Sequence, residues 1–181
     1  IVATLWSALS PNTLTIAERV TWWLALGFIL LFLPYFPYSK HAHLFMGPLN
    51  IMASEKRRSM AAIETINFED EELDQFGAAQ IQHLPQTQLL DGYACIQCSR
   101  CQDACPAYET GKELSPSALE INKRYFINDN VSTIANGESI DKALTDWMLT
   151  EEAAWSCTTC GYCVEVCPVG NEPMIDILRA R

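Results

Sequence analysis

All eight cysteines of this 181-residue chain fall into two short runs that share one internal spacing. In each run, two residues separate the first three cysteines, three residues precede the fourth, and a proline follows it. The first run is Cys95, Cys98, Cys101 and Cys105, and the second is Cys157, Cys160, Cys163 and Cys167. Because thiolates are ligands for soft metal centres, this repeat predicts metal chemistry at two equivalent sites.

The spacing is the bacterial ferredoxin pattern for two [4Fe-4S] clusters, in which the fourth cysteine of a run binds the other cluster. We therefore expect cluster 1 to be held by Cys95, Cys98, Cys101 and Cys167. Cluster 2 is then held by Cys157, Cys160, Cys163 and Cys105. The chain shows no Gly-rich phosphate loop, nucleophile–base pair or flavin signature, so we predict electron transfer and no catalytic residues.

Two other uses of cysteine are less consistent with the pattern. Structural zinc sites usually combine paired C-x2-C units and do not require a third cysteine followed by a C-P pair. Disulfide bonds suit small secreted proteins, and runs of three closely spaced cysteines are poorly placed for bridging. The spacing therefore favours iron–sulfur clusters over zinc or disulfides.

The sequence around the cysteines predicts short α-helices and an all-α fold. The two runs are separated by 51 residues, which is more than a compact bacterial ferredoxin needs. A helix should lead from Leu84 to Tyr93, and the next long helix should turn Ala118, Ile121 and Tyr125 towards the core. N-caps of four helices are expected at Ser115, Ser139, Thr150 and Asn171. This indicates an α-helical ferredoxin whose apolar side chains exclude water from the clusters.

A second feature is the uncharged and largely apolar stretch from Val20 to Ser39. Twenty helical residues span about 30 Å, which is the thickness of the hydrocarbon core of a bilayer. A buried core helix would be shorter and would carry a polar stripe. The stretch therefore predicts a transmembrane helix over about residues 18–45, with kinks at Pro34 and Pro37.

Charge is distributed unevenly along the chain. Residues 1–58 contain five basic and two acidic side chains, whereas the whole chain has a net charge of −10. This acidic balance argues against a nucleic-acid partner. Lys40 and Lys56–Arg58 follow the apolar stretch, so the positive-inside rule places the downstream part in the cytoplasm. The acidic run from Glu64 to Asp74 is interpreted as a solvated linker or as a docking face for a basic partner.

Two histidines, His41 and His43, follow the predicted membrane helix. Neutral imidazole is an axial ligand of haem iron, and ionisable residues at this depth are functional candidates. Helical geometry separates residues two apart by about 200°, so the two rings cannot face the same metal. One histidine would bind the metal while the other faces a propionate, a quinone or lipid headgroups; alternatively, both are interfacial residues in water.

The pattern Lys40-x-x-His43-x-x-x-x-Pro48 resembles the end of the nitrate reductase gamma subunit family, which binds b-type haem and exchanges electrons with quinol. The resemblance implies that His43 is a cytoplasmic-side axial ligand of haem b, with its partner on an earlier helix. A second histidine of that family corresponds to Ala25, so a second haem is expected to be absent or to be held by a different residue. By position, Lys40 and His41 are assigned to the environment of a haem propionate or a quinone.

The segments around both cysteine runs, Asp91–Cys95 and Trp155–Glu172, resemble the cluster domain of heterodisulfide-reductase-related proteins. Together with the gamma-like membrane region, they resemble membrane iron–sulfur oxidoreductases that act as electron transfer flavoprotein:menaquinone oxidoreductases. This resemblance implies a cytoplasmic-membrane location, electron exchange between a soluble flavoprotein and quinone, and further cysteine-rich domains outside this chain.

Three regions follow from these predictions. Residues 1–50 are interpreted as the end of a gamma-like membrane domain, 51–83 as a surface segment and acidic linker, and 84–181 as the α-helical ferredoxin domain. The alternative function is a membrane-tethered ferredoxin that passes electrons to soluble enzymes without haem or quinone chemistry.

Overall fold

The computed structural model describes residues 10–54, 69 and 76–181, and this part of the chain contains eleven α-helices joined by loops and short 3₁₀ turns. The chain divides into two compact units, Ile1–His41 and Ala42–Arg181. Extended pairing within the described residues is limited to one isolated bridge between Gln80 and Ala143. The chain is therefore mostly helical, as the sequence predicts.

The first unit contains helix α1, Pro11–Tyr35. The Ser10 hydroxyl caps its start by accepting a hydrogen bond from the Thr13 N–H at 3.3 Å. The α-helix ends at Tyr35 and a 3₁₀ turn, Phe36–Tyr38, follows. Pro37 has no N–H to continue the helical hydrogen bonds, which explains why the helix stops before the predicted end near residue 45. The prediction of one helix over residues 18–45 was therefore wrong at both ends.

α1 has the length and composition of a membrane span. Its 25 residues would extend roughly 37 Å, and the Pro11–Tyr38 stretch meets the length and hydropathy criteria for crossing a bilayer. Its large apolar side chains are exposed rather than packed, with Trp23 at 65% and Leu31 at 68% exposure. A core helix of a soluble protein would bury such side chains, so the exposed surface favours the membrane interpretation.

The second unit contains the other ten helices of the described residues. These are α2 His43–Ala53, α3 Gln86–Ala94, α4 Arg100–Asp103, α5 Pro106–Glu109, α6 Pro116–Asp129, α7 Val131–Ala135, α8 Leu144–Trp147, α9 Glu151–Ser156, α10 Tyr162–Glu165 and α11 Pro173–Ala180. Helix α3 packs against both α2 and α6, and α6 also contacts α4 and α11. Within the predicted 51–83 linker, residues 55–68 and 70–75 lie outside the described residues, and most of the acidic run lies there with them.

Two of the four predicted N-caps are present. The hydroxyls of Ser115 and Thr150 each accept a backbone hydrogen bond at 3.1 Å, at the starts of α6 and α9. The other two predictions were wrong. The helix expected after Ser139 begins only at Leu144, and the Asn171 side chain bonds to the backbone of another helix instead of capping α11.

The buried face of α6 differs from the predicted one. Tyr125 is 58% exposed, whereas Glu120 and Lys123 are fully enclosed. The Lys123 ammonium donates to the Gln88 carbonyl oxygen at 2.8 Å, lies 3.0 Å from Glu120 Oε2 and forms an ion pair with Asp176. One buried cation therefore joins α3, α6 and α11.

The buried charges alter each other's protonation. Burial would lower the pKa of Lys123, but the carboxylates of Asp176 and Glu120 raise it, so the ammonium stays charged. Burial raises the pKa of Glu120 to about 8 against the opposing effect of Lys123. Burial likewise raises the pKa of Asp176 to about 6. Lys123 therefore forms its main ion pair with Asp176, while Glu120 is largely protonated at neutral pH.

We expect Lys123→Met to lower the free energy of unfolding by about 3–5 kcal/mol, because it leaves buried carboxylates without their counter-charge. Urea unfolding of the detergent-solubilised protein, followed by circular dichroism, measures this change. Lys112→Met is the matched control: Lys112 is exposed, so a change of less than about 0.5 kcal/mol is expected. Equal effects of the two substitutions would contradict the proposed importance of the buried cation.

The raised pKa of Glu120 predicts that stability falls with rising pH. The folded state keeps a proton that an ordinary glutamate of pKa 4.5 would release, so this stabilisation is complete below about pH 4.5 and is lost as the pH rises through about 8. The melting temperature measured from pH 6 to 8.5 should therefore decrease. Glu120→Gln, which mimics the protonated acid, should flatten this dependence, whereas Glu138→Gln at an exposed site should not. An unchanged slope in Glu120→Gln would contradict the assignment.

Candidate metal centres

The two cysteine runs fold into loops of the same shape. In each run, the residues on both sides of the second cysteine have positive φ, at Gln97 (57°) and Ser99 (60°) in the first run and at Thr159 (54°) and Gly161 (73°) in the second. The left-handed conformation costs a non-glycine residue about 1–2 kcal/mol. Because the same unfavourable backbone conformation recurs at matched positions of both runs, we infer that it serves function by orienting the cysteine side chains.

The cysteines line two separate cavities. The first cavity, which we call cavity 1, is lined by Cys95, Cys98, Cys101 and Cys167. The second, cavity 2, is lined by Cys157, Cys160, Cys163 and Cys105. Each cavity therefore receives three cysteines from one run and the fourth from the other. The structure brings together the same two sets of four that the spacing predicts.

Within the described residues, the cysteines of each cavity are not gathered around a point that could hold one metal ion. All eight cysteines are free thiols. Within the described part of the chain, no three histidine, cysteine or acidic side chains converge closely enough to hold a single metal ion. A zinc site needs its sulfur ligands at about 2.3 Å from one ion. The two rings of thiols around open cavities therefore suit iron–sulfur clusters better than zinc.

The second cysteine of each run is the exposed one. Cys98 and Cys160, the second cysteine of each run, are exposed, whereas Cys105 and Cys163 are buried. Both sites therefore approach the surface at the same point of the motif. An exposed edge beside a redox centre shortens the path to an electron-transfer partner, and solvent exposure also influences reduction potential.

The thiols do not favour ionisation without a positive charge beside them. Burial, together with neighbouring cysteines, raises the pKa of Cys101 and of Cys163 to about 12. Metal binding requires thiolates and releases their protons, so the positive charge of iron must supply this stabilisation. The Thr159 and Asn171 backbone N–H groups contribute by donating to Cys157 Sγ at 3.4 Å and Cys167 Sγ at 3.3 Å.

Both cavities are lined by polar and apolar residues. Besides its cysteines, cavity 1 has the polar residues Ser99, Arg100, Ser117, Glu120 and Asn171 and the apolar residues Ile96, Pro168, Val169 and Pro173. Cavity 2 is lined by Leu114, Pro116, Met174 and Ile177, with Thr158 and Gly161. The polar residues of α6 in cavity 1 were not predicted from the sequence. The available signal was the pair Glu120 and Lys123, three residues apart on a helix with a buried face.

Arg181, which directly follows α11, makes hydrogen bonds to the start of the second cysteine loop. The Arg181 guanidinium donates to the Ala154 carbonyl oxygen at 2.8 and 2.9 Å and to the Cys157 carbonyl oxygen at 2.5 Å. The guanidinium also lies 5.1 Å from the centre of the Trp155 ring. Arg181 therefore holds the start of the second run against the end of α11.

The predicted haem and quinone residues fall in different units. His43 is the first residue of α2, in the second unit, and is half-buried. His41 and Lys40 lie in the first unit within the 3₁₀ turn Lys40–Ala42. The His41 ring contacts Phe32 edge-on, with ring centres 5.4 Å apart, and its Nδ1 lies 3.2 Å from the Ser39 hydroxyl oxygen. One ring nitrogen of His41 is therefore already engaged.

Comparison with known proteins shows which sequences resemble this chain. Residues 91–171 match the 4Fe-4S dicluster domain family. A probable iron-sulfur-binding oxidoreductase, FadF, of Bacillus subtilis is 33% identical over 99% of this chain and 30% of its own length. The EtfAB:quinone oxidoreductase of Syntrophomonas wolfei is 27% identical over 99% of this chain and 28% of its own length. A probable membrane-anchored ferredoxin of Chromohalobacter salexigens is 30% identical over 52% of this chain and 16% of its own length.

The chain thus spans less than a third of the length of these relatives. No solved structure matches it. All eight cysteines lie within the matched residues, and the predicted resemblance to iron–sulfur oxidoreductases is confirmed. The chain is similar over nearly its whole length to iron–sulfur-binding oxidoreductases, and residues 91–171 match the 4Fe-4S dicluster domain family.

Proposed function

We propose that this chain is the electron-transfer portion of a membrane-bound oxidoreductase that connects a soluble redox partner with the quinone pool. The observation that carries the proposal is the pair of four-cysteine cavities in a chain that also contains a helix suited to crossing a membrane. An electron carrier attached to the membrane requires both features. The Syntrophomonas relative, which is named for EtfAB and quinone, supports a flavoprotein donor and a quinone acceptor.

The eight cysteines are the proposed ligands of two [4Fe-4S] clusters, which supply one-electron redox chemistry when bound. The chain contributes ligation, orientation and a controlled environment. The left-handed residues beside Cys98 and Cys160 direct the loops, and backbone N–H groups donate to Cys157 and Cys167. Apolar side chains such as Met174 and Ile177 exclude water from cavity 2.

The residues around α1 indicate on which side of the membrane the cysteine domain would lie. Lys40 follows α1, so the positive-inside rule assigns the cysteine domain to the cytoplasmic side of the cytoplasmic membrane. The cytoplasm is reducing, which suits thiolate ligands. A net charge of −10 also suits docking of a partner with a basic surface.

His43 is proposed as one axial ligand of haem b, with the second ligand on another membrane helix. Its half-buried position at the start of α2 leaves the imidazole at the boundary of the cysteine domain rather than in its core. His41 and Lys40, which precede it in the 3₁₀ turn, are assigned to a quinone or haem propionate environment. Further cysteine-rich domains or subunits would complete the path to the soluble donor.

A membrane-tethered ferredoxin is the second candidate function. The Chromohalobacter relative, a probable membrane-anchored ferredoxin, favours it over about half of this chain. In that case α1 would only attach the domain to the membrane, and the electrons would pass to soluble enzymes. The presence of haem and of quinone-dependent oxidation separates the two functions.

Serine substitutions test the crossed assignment of cysteines to clusters. We expect Cys105→Ser and Cys160→Ser to weaken the same electron paramagnetic resonance signal, since both residues line cavity 2. Cys167→Ser and Cys98→Ser should weaken the other signal, and each variant should lose up to about four iron atoms. The two pairs serve as controls for each other. The assignment is wrong if Cys105→Ser instead affects the same signal as Cys98→Ser.

His43→Ala tests the membrane end of the proposal. We expect a loss of haem b absorbance and a quinone-dependent oxidation rate reduced more than about tenfold, since even outer-shell changes at metal sites cost 10–100-fold. His83→Ala is the control, because the His83 Nδ1 accepts the Gln80 backbone N–H at 3.2 Å within a surface turn. If the complete native protein contains no haem and quinone does not oxidise it, the tethered ferredoxin is the correct function.

A further inference from the structure

The asparagine at position 50 connects α2 to the loop that presents Cys167. Its side chain is almost completely enclosed, at 2% exposure. Its amide nitrogen lies 2.6 Å from Asp91 Oδ1 on α3, 3.3 Å from the Val169 carbonyl oxygen and 3.4 Å from Asn171 Oδ1. One buried amide group therefore joins α2, α3 and the segment that follows Cys167.

Further hydrogen bonds close this network around the cysteine. The Asn171 side chain donates to the Asp91 carbonyl oxygen at 2.7 Å, and its backbone N–H donates to Cys167 Sγ at 3.3 Å. Asp91 Oδ2 also accepts the Glu172 backbone N–H at 3.1 Å. Asp91 and Asn171 are as deeply buried as Asn50. Since buried polar networks with satisfied partners hold a single geometry, this one fixes the N–H that points at the cysteine sulfur.

Apolar packing also joins α2 to the segment that follows Cys167. A Cβ atom at Gly47 would lie 3.4 Å from Val169 Cγ1, and one at Gly170 would lie 3.9 Å from Ile51 Cγ1. Val169 and Asn171 both line cavity 1. The wall of cavity 1 is therefore continuous with α2, whose first residue is His43. Only seven residues separate α2 from the end of α1.

We propose that Asn50 is a positioning residue for the cluster of cavity 1, and that this cluster is the one that passes electrons to the quinone acceptor through α2. The inference rests on the proposed function, because it needs Cys167 as a ligand and quinone as an acceptor. A donor N–H at a cluster sulfur stabilises the more negative reduced state, so it raises the reduction potential. Loss of Asn50 frees the Asn171 segment and lowers that potential.

Redox titration of the purified, detergent-solubilised protein, followed by electron paramagnetic resonance, tests this role. In Asn50→Ala, the midpoint potential of the cavity 1 signal should fall and that of the cavity 2 signal should not change. Arg181→Gln is the matched control, because Arg181 holds the Cys157 loop; it should shift only the cavity 2 signal. The serine variants of Cys98 and Cys160 identify which signal belongs to which cavity.

A second variant distinguishes the loss of positioning from misfolding of the protein. Asn171→Ala keeps the backbone N–H but loses its bond to Asp91, so it should produce the same selective fall in potential. Unchanged potentials, equal shifts in both signals, or loss of both clusters in Asn50→Ala and Asn171→Ala would overturn the proposal.

The proposed electron route is tested by the rate at which a soluble quinone analogue oxidises each cluster of the prereduced protein. Asn50→Ala should slow the oxidation of the cavity 2 cluster several-fold, because electrons from cavity 2 must pass cavity 1 and the lower potential there makes this transfer less favourable. The cavity 1 cluster becomes the stronger reductant, so its oxidation should not slow, and Arg181→Gln should leave its oxidation unchanged. Faster or unchanged oxidation of the cavity 2 cluster in Asn50→Ala overturns the electron route. If quinone oxidises neither cluster of the unmodified protein, the proposed function fails, and the titration still decides whether Asn50 positions Cys167.

Discussion

Each cavity takes its fourth cysteine from the opposite run, and the rest of the second unit depends on this exchange. Cys105 lies beside the second run, and Cys167 lies beside the first. Neither site can therefore form until both loops are in place. The 51 residues between the runs begin and end at cavity 2, because Cys105 and Cys157 both line it. Helix α6 lies within this segment and reaches both sites, since its first turn contributes Pro116 to cavity 2 and Ser117 to cavity 1.

The buried cation on α6 holds the supporting helices around the exchanged cysteines. Lys123 connects to the Gln88 carbonyl oxygen on α3, which leads into Cys95, and to Asp176 on α11, which follows Cys167. Such a group contributes specificity more than net stability, since burying charges costs nearly as much as their attraction returns. Here the buried ammonium ties α3 and α11 to the same position on α6.

Local signals in the sequence predicted local features well. The cysteine spacing predicted which four thiols meet, and Ser115 and Thr150 cap helices because a hydroxyl needs only the next turn of backbone. Predictions failed where a contact with a residue far away in the sequence determines whether a side chain is buried or which group it bonds to. Lys123 can be buried because its ammonium pairs with Asp176, which lies 53 positions away in the sequence. The Asn171 side chain likewise bonds to Asp91, which lies 80 positions away. No periodicity in α6 or near Asn171 contains that information. α2 was missed because Pro37 divides an apolar stretch that resembles one continuous helix.

The two cavities share their pattern of ligation but differ in the charges around them. Each has one backbone N–H that donates to a cysteine sulfur, from Asn171 to Cys167 and from Thr159 to Cys157. At cavity 1, burial raises the pKa of Cys167, and the buried Asp91 carboxylate adds to this effect. At cavity 2, burial raises the pKa of Cys157, and the Arg181 guanidinium opposes this effect. Since nearby charge is one of the factors that set the reduction potential of a cluster, two sites with the same ligands acquire different potentials from their surroundings.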